Sequence, residues 1–317
     1  MRTMTRIDLE KSLCLLKKQI EIRTLTTNNV SLANGLHFFR LTSGRELMSF
    51  FYHPSITVVA QGELLLRCGG REILLPPGSA FLCGLRLPLE LGVPPCTREH
   101  PNLAFGYELD LLELSKLSLR IPRVLGTTVQ GFPAAMGAGE IDEELLDSIV
   151  RLVACLGTPE EEFLKPVLER EVHLRLLLGS LGSQIRSIFA SDSVTGRIAL
   201  AARRIADHYQ EPLSVEALAR ECAMSTSSFH LHFKNVTGVS PLQYQKRLRL
   251  REARRLILEE GFPVGAAAAE VGYANASQFM REFKRLYGET PGQARGDFRE
   301  KFSGRGGLLD ADMESDV

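Results

Sequence analysis

FHLHFKNVTGVSPLQ at residues 229–243 and FMREFKRLYGETPGQ at residues 279–293 are two versions of one segment. Phe229, Phe233, Lys234, Gly238, Ser240, Pro241 and Gln243 recur fifty positions later as Phe279, Phe283, Lys284, Gly288, Thr290, Pro291 and Gln293. The one change in that set is Ser to Thr. A fixed internal period marks a duplicated supersecondary unit. Upstream, Val215, Ala219, Glu221 and Ala223 answer to Val264, Ala268, Glu270 and Gly272 at an offset of forty-nine, so the second copy has one extra residue before its cap.

Each copy reads as helix, turn, helix. In the first, Ser214 caps VEALAREC, the chain turns at Ala223-Met224, and Ser225 caps TSSFHLHFKNV. In the second, a helix over about 264–271 ends at Gly272 and Asn275 caps ASQFMREFKRLY. Short polar side chains satisfy the orphan N–H groups of a helix start, and a glycine closes its end. The small Ala219 and Ala268 sit where two steeply crossing helices approach closely. Phe229 with Phe233, and Phe279 with Phe283, lie one turn apart and are expected in the core. Between the copies, Ser240-Pro241 starts a connecting helix with cations at 246, 247, 249, 251, 254 and 255, read either as a solvated face or as neighbours of phosphates. Two such units on one rod are expected to present their second helices about 34 Å apart, one turn of a duplex.

Charge by segment agrees with that placement. The 317 residues carry 38 Lys+Arg and 38 Asp+Glu, a net charge of zero that taken whole argues against a basic nucleic-acid binder. Residues 197–300 carry 16 basic against 12 acidic side chains, while 1–196 and 301–317 are each acidic by two. The length, at about 150 residues per domain, predicts two domains.

Residues 197–295 resemble the DNA-binding domain of the AraC/XylS family of bacterial transcription regulators, with FKRLYGETPGQ as its terminal signature. The resemblance implies helix-turn-helix units at about 214–235 and 263–286. It implies base-facing side chains at Ser227, His230 and Leu231 in the first, and at Ala276, Ser277, Gln278 and Arg281 in the second. Arg281 suits guanine O6 and N7, Gln278 adenine N6 and N7, and His230 a purine N7 or a phosphate. Related proteins often carry Arg where Leu231 stands; an apolar side chain there suits a thymine methyl. Lys234, Arg249 and Lys284 are expected near phosphates. The second unit is expected to discriminate bases more strongly.

Upstream, residues 35–189 read as a β domain followed by helices. ITVVAQG, ELLLRCGG and REILLPPGSAFLC are apolar or alternating runs broken by Gln61-Gly62, Gly69-Gly70 and Pro76-Pro77-Gly78, which predicts an antiparallel meander, barrel or sandwich. Leu145, Ile149 and Leu152 mark a helix ending at Gly157; Thr158, Pro159 and Glu161 predict a capping box for the next, which continues to Gly179. That second helix packs on the barrel or pairs with its copy in a dimer. This half resembles the cupin-like regulatory domain of an AraC subgroup. The fold class is therefore α+β multidomain, a cupin-like β-barrel with a helical segment and an all-α DNA-binding domain. Residues 1–34 are a helical lead-in, 190–196 the linker and 303–317 a disordered tail.

Candidate walls of an effector pocket are Phe50, Tyr52, Ile56, Val58, Leu64 and Leu66, with a filled core as the alternative. His37, His53 and His100 read as isolated, without the clustered His and carboxylate ligands of a metal cupin, so neither metal nor other cofactor is expected, nor catalysis. The six cysteines form no CxxC pair and fit reduced thiols better than redox sensors at Cys68 or Cys83. No run reaches the roughly 18 apolar residues of a membrane span, and a cytoplasmic protein is expected. The expected partners are double-stranded DNA, RNA polymerase, a small-molecule effector and a second copy of the chain. A ligand-responsive transcription factor leads, ahead of a constitutive regulator whose barrel only dimerises and of a barrel enzyme fused to a DNA-binding module.

Overall fold

The computed structural model describes residues 6–25, 29–32, 35–68, 70–121, 133–190 and 193–301. It opens with α1 (Arg6–Arg23) and continues with β1 (Asn29–Leu32), β2 (Leu36–Leu41), β3 (Arg45–Tyr52), β4 (Ser55–Gln61), β5 (Leu64–Cys68), β6 (Arg71–Leu75), β7 (Ser79–Cys83), β8 (Leu87–Val93) and β9 (Asn102–Glu108). Then follow α2 (Leu111–Ser118), β10 (Met136–Glu140), α3 (Glu143–Cys155), α4 (Glu161–Leu178) and α5 (Gly182–Phe189). The helical half holds α6 (Val194–Asp207), α7 (Val215–Glu221), α8 (Thr226–Thr237), α9 (Pro241–Leu258), α10 (Val264–Glu270), α11 (Ala276–Tyr287) and α12 (Pro291–Lys301). The lead-in thus contains a strand as well as a helix, and α6 starts inside the expected linker, whose residues 191–192 lie outside the described ones. The expected tail lies there too.

The strands form two antiparallel sheets, ordered β1-β2-β9-β4-β7-β10 and β3-β8-β5-β6. A meander is not what forms: β2 pairs with β9, and β4 sits between β9 and β7. Strand alternation explains the packing. In β4 and β7, Ile56, Val58, Ala80 and Leu82 point one way into a core shared with α1, α3, α4 and α5. Val59, Phe81 and Cys83 point the other way into a core shared with Leu64, Leu66, Leu87 and Leu89 of the second sheet. The first sheet is therefore covered on both faces, which is why its strands read as nearly continuous apolar runs.

This alternation divides the expected effector pocket. Ile56 and Val58 face the helices, whereas Leu64 and Leu66 face between the sheets, all four buried. Tyr52 stacks edge-on against Phe81, with its hydroxyl 2.7 Å from that of Thr57. The side chain of Phe50 lies outside those described. The first sheet stands between these two pairs, and each pair is packed into its own apolar core, so the filled-core reading applies to these five.

The predicted cap of α4 also differs. The Thr158 hydroxyl donates to the Cys155 carbonyl at the end of α3, while the Glu161 carboxylate accepts from the Gly157 N–H at 2.6 Å. With the threonine engaged backwards, Pro159 and Glu160 form a turn and the helix starts at Glu161.

Candidate nucleic-acid interface

The local chemistry of the two repeats produces the predicted elements. The Ser214 hydroxyl accepts from Ala217 N–H, Ser225 from Ser228 N–H and Ser240 from Gln243 N–H. Asn275 Oδ1 accepts from the N–H groups of Ser277 and Gln278. Thr290 and Gln293 cap α12 reciprocally, the threonine oxygen accepting from Gln293 N–H and the Gln293 side chain from Thr290 N–H. The turn between the paired helices puts Gly272 at φ 85° and its counterpart Ala223 at φ 52°. A β-carbon on Gly272 would lie 2.2 Å from the Gln210 carbonyl oxygen, so only glycine fits there.

Phe229, Phe233, Phe279 and Phe283 are fully buried, with ring centroids 5.5 and 5.6 Å apart within each pair. With these directions fixed, Ser227, His230 and Leu231 of α8 and Ala276, Ser277, Gln278 and Arg281 of α11 are all exposed, as are Lys234 and Lys284. Two outward helix faces therefore carry the predicted residues together. The second is the more basic: Lys284 and Arg285 stand in its last turn where the first has Lys234 alone.

The connecting helix α9 does not behave as a solvated rod. Arg249 donates from Nε to Tyr209 O at 2.6 Å, from Nη1 to Gly272 O at 2.8 Å, and from Nη2 to Gln210 O and Glu211 O at 2.9 Å. Its expected place at a phosphate is thus corrected. The planar fork is occupied by four carbonyls that tie the α6–α7 turn to the turn of the second unit, and burial pulls its pKa down. Lys246 donates to Glu282 of α11 at 2.6 Å, and the other carboxylate oxygen accepts from the Tyr273 hydroxyl at 2.8 Å. Burial alone would raise the Glu282 carboxyl, but hydrogen bonds from Lys246, Tyr273 and Gln278 hold it below the ordinary carboxylate range. Arg254 lies over the Tyr287 ring, and Arg255 pairs with Glu252 and Glu260.

The strand-rich half packs against this assembly. Tyr244 of α9, fully buried, donates its hydroxyl to Arg86 O at 2.6 Å and meets Phe51 and Phe233 edge-on. Ala134 N–H donates to Asn235 O at the end of α8. Arg251 Nη2 donates to His53 Nε2 at 2.6 Å. Burial, then the Arg251 and Arg86 charges, push the His53 pKa down to about 4, so the ring is neutral and accepts from the guanidinium. His53, in the loop between β3 and β4, is therefore also a contact between the halves. It is not isolated. His37 Nε2 lies 3.5 Å from Glu108 Oε1, and the Glu108 charge reaches His53. Among the described residues, no three His, Cys, Asp or Glu side chains are grouped to hold a metal. Cys68 and Cys83 are buried, and desolvation drives the Cys83 thiol far above its usual range, which removes the thiolate that redox sensing needs.

Beside this contact opens a cleft of about 920 Å³ between the outer face of the second sheet and helices α9, α11 and α12. Met48, Arg67 and Glu90 line it from the strands, and Lys246, Arg247 and Arg285 from the helices.

Residues 33–184 match the model of the AraC-type transcriptional regulator N-terminus, and residues 218–297 that of a helix-turn-helix domain. This chain belongs to the AraC family of transcriptional regulators. Among its AraC-family relatives, the transcriptional activator RhaS of Escherichia fergusonii is 31% identical over 157 residues, which is 49% of this chain and 56% of that protein. The RCS-specific transcriptional activator RclR of Escherichia coli is 40% identical over 87 residues, 27% of this chain and 31% of that protein. The chain thus spans about half or less of the length of these curated relatives. ToxT of Vibrio cholerae shares the two-domain fold, with a TM-score of 0.54 and 14% identity over 82% of this chain and 97% of ToxT. A second ToxT structure, with unsaturated fatty acid bound, aligns with a TM-score of 0.53 and 12% identity, over 82% of this chain and 92% of that one.

Proposed function

We propose that this AraC-family chain is a sequence-specific DNA-binding regulator of transcription initiation, acting in the cytoplasm without catalysis of its own. Residues 197–295 are the reader and 35–189 the regulatory domain. The observation that carries this is the pair of exposed helix faces on α8 and α11, each backed by a buried phenylalanine pair and tied to the other through Arg249. The reader recognises two successive major grooves with Ser227, His230 and Leu231 and with Ala276, Ser277, Gln278 and Arg281, while Lys234 and Lys284 stand by phosphates. Footprinting on the DNA upstream of its neighbouring genes tests this; a chain that protects no site there, at low salt, refutes it.

The effector acts at the cleft between the halves rather than inside the strands. A ligand there touches α9 and the Arg285 end of α11 as well as the second sheet, so occupancy bears directly on the second reading helix. The lining mixes Arg67, Lys246, Arg247, Arg254 and Arg285 with Glu46, Glu90, Glu282 and Glu289, and Arg247 and Arg285 are the cations that an anionic group would meet; fatty acids, the ligand class seen in ToxT, are a first set to screen. An operator affinity that no added ligand alters leaves the constitutive reading in place.

The regulator works as a homodimer through α4. Phe163, Val167, Leu174 and Leu178 form one exposed apolar stripe on that helix. Their spacing of four, seven and four is the same in both directions, so an antiparallel copy matches Phe163 to Leu178 and Val167 to Leu174. Sedimentation of a Val167→Glu variant as a monomer supports the dimer; an unchanged mass refutes it. Contact with RNA polymerase is tested by transcription from the footprinted promoter with purified components.

A further inference from the structure

Two apolar side chains stand among the polar residues of the reading faces. Leu231 on α8 is 60% exposed and Met280 on α11 44% exposed. Neither belongs to the hydrophobic cores of the helical half, which close around Phe229 and Phe233 in one unit and around Phe279 and Phe283 in the other. A single exposed apolar residue needs no explanation. The repeat register gives these two a shared logic. At the offset of fifty, His230 corresponds to Met280 and Leu231 to Arg281. Each helix therefore presents the same neighbouring pair of positions with one polar and one apolar side chain, in opposite order.

The edges of the bases in the major groove offer hydrogen-bond donors and acceptors and one apolar group, the thymine 5-methyl. We propose that Leu231 and Met280 each read a thymine methyl, one in each half-site, beside the bases contacted by His230 and Arg281. The proposal rests on the DNA-reading role above and adds Met280, the counterpart of His230, to the base-facing side chains of the second unit. Leu231 then marks a change in what the first unit reads, from a guanine to a thymine, and not a loss of reading.

Deoxyuridine tests this directly, because it removes the methyl and keeps every hydrogen-bonding group. A preferred duplex is selected from random DNA with the full chain, and each thymine is replaced singly by deoxyuridine. Affinities are measured at one salt concentration for the wild type, Leu231→Ala and Met280→Ala. Both residues are exposed, so folding is not at stake, and thermal unfolding of each variant checks it. Burial of one methyl corresponds to about a fourfold change in affinity. One replacement in each half-site is expected to weaken wild-type binding by about that factor. Leu231→Ala should abolish the effect at one site and leave the other; Met280→Ala should do the converse. With apolar contacts at stake, the salt dependence should be the same for all three proteins. Deoxyuridine without effect at every thymine, or equal sensitivity in the alanine variants, overturns the proposal. So does intact DNA binding with lost transcription in those variants, which would assign the residues to a protein partner. Failure to select any sequence would instead refute the DNA-reading role itself.

Discussion

Lowering the pH from about 7.5 to about 5.5 is expected to loosen the contact between the two halves by about 1.4 kcal/mol, a tenfold change in the docking equilibrium. The magnitude follows from His53. Docked, its ring is buried against Arg251, and its pKa is about 4; undocked, it returns to the ordinary 6.5. The separated state therefore binds the proton more readily, and the stability of docking, full above about pH 6.5, is lost as the pH falls toward 4. His37 also faces the ring, and the glutamine variant below separates its contribution from that of His53. The guanidinium of Arg251 on α9 does not titrate in this range, and the Glu108 carboxyl, held low by the His37 hydrogen bond against its burial, stays ionised. Proton resonances of the His53 ring give the pKa, and energy transfer between dyes on exposed positions of the two halves gives the docking equilibrium. His53→Gln keeps an acceptor for Arg251 but cannot titrate, and its docking should be flat over this range. A His53 that titrates near 6.5, or a glutamine variant with the same tenfold change, refutes the reasoning.

Arg249→Met leaves four carbonyls without their donor and should lower the stability of the helical half by about 2 to 4 kcal/mol, read by denaturant unfolding; it should weaken binding to the full operator more than to either half-site alone. Ala223→Gly relieves a left-handed alanine and should raise stability by up to about 1 kcal/mol. Gly272→Ala should be destabilising, since its β-carbon meets the Gln210 carbonyl, and the opposite signs at these equivalent positions are checked in one thermal series. Arg281→Ala should cost about 1 to 3 kcal/mol on the preferred site and relax one base position. A uniform loss over all sequences would place Arg281 at a phosphate.

What was legible in the sequence was chemistry that acts over a turn or less. Ser214, Ser225, Ser240 and Asn275 cap where their neighbours predict, and the phenylalanine pairs face inward because one helical turn separates them. Alternation likewise placed strands, although the sheet order depends on which distant edges meet and left no local trace. The cations of α9 show the limit clearly. A helix with six Lys or Arg reads as a solvated face, yet the carbonyls that hold Arg249 lie in two separate turns, and His53 lies in the other half of the molecule. Thr158 failed as a cap for a local reason that composition does not expose, because its hydroxyl serves the preceding helix. The pocket candidates divide because β4 and β5 belong to different sheets and feed different cores, and a list of apolar residues carries no face.

Tyr244 has a consequence for cooperativity. Through its contacts with Phe51, Phe233 and the Arg86 carbonyl, the apolar core of the first helix-turn-helix unit is continuous with that between the sheets, whereas the second unit closes around a core of its own. The first reading head should thus share the hydrogen-exchange protection of the strands and open only when they do. The second should open at lower free energy, as a separate unit, and regain protection when bound to DNA. One chain would carry a stiff reading head and a compliant one, and the compliant head borders the cleft.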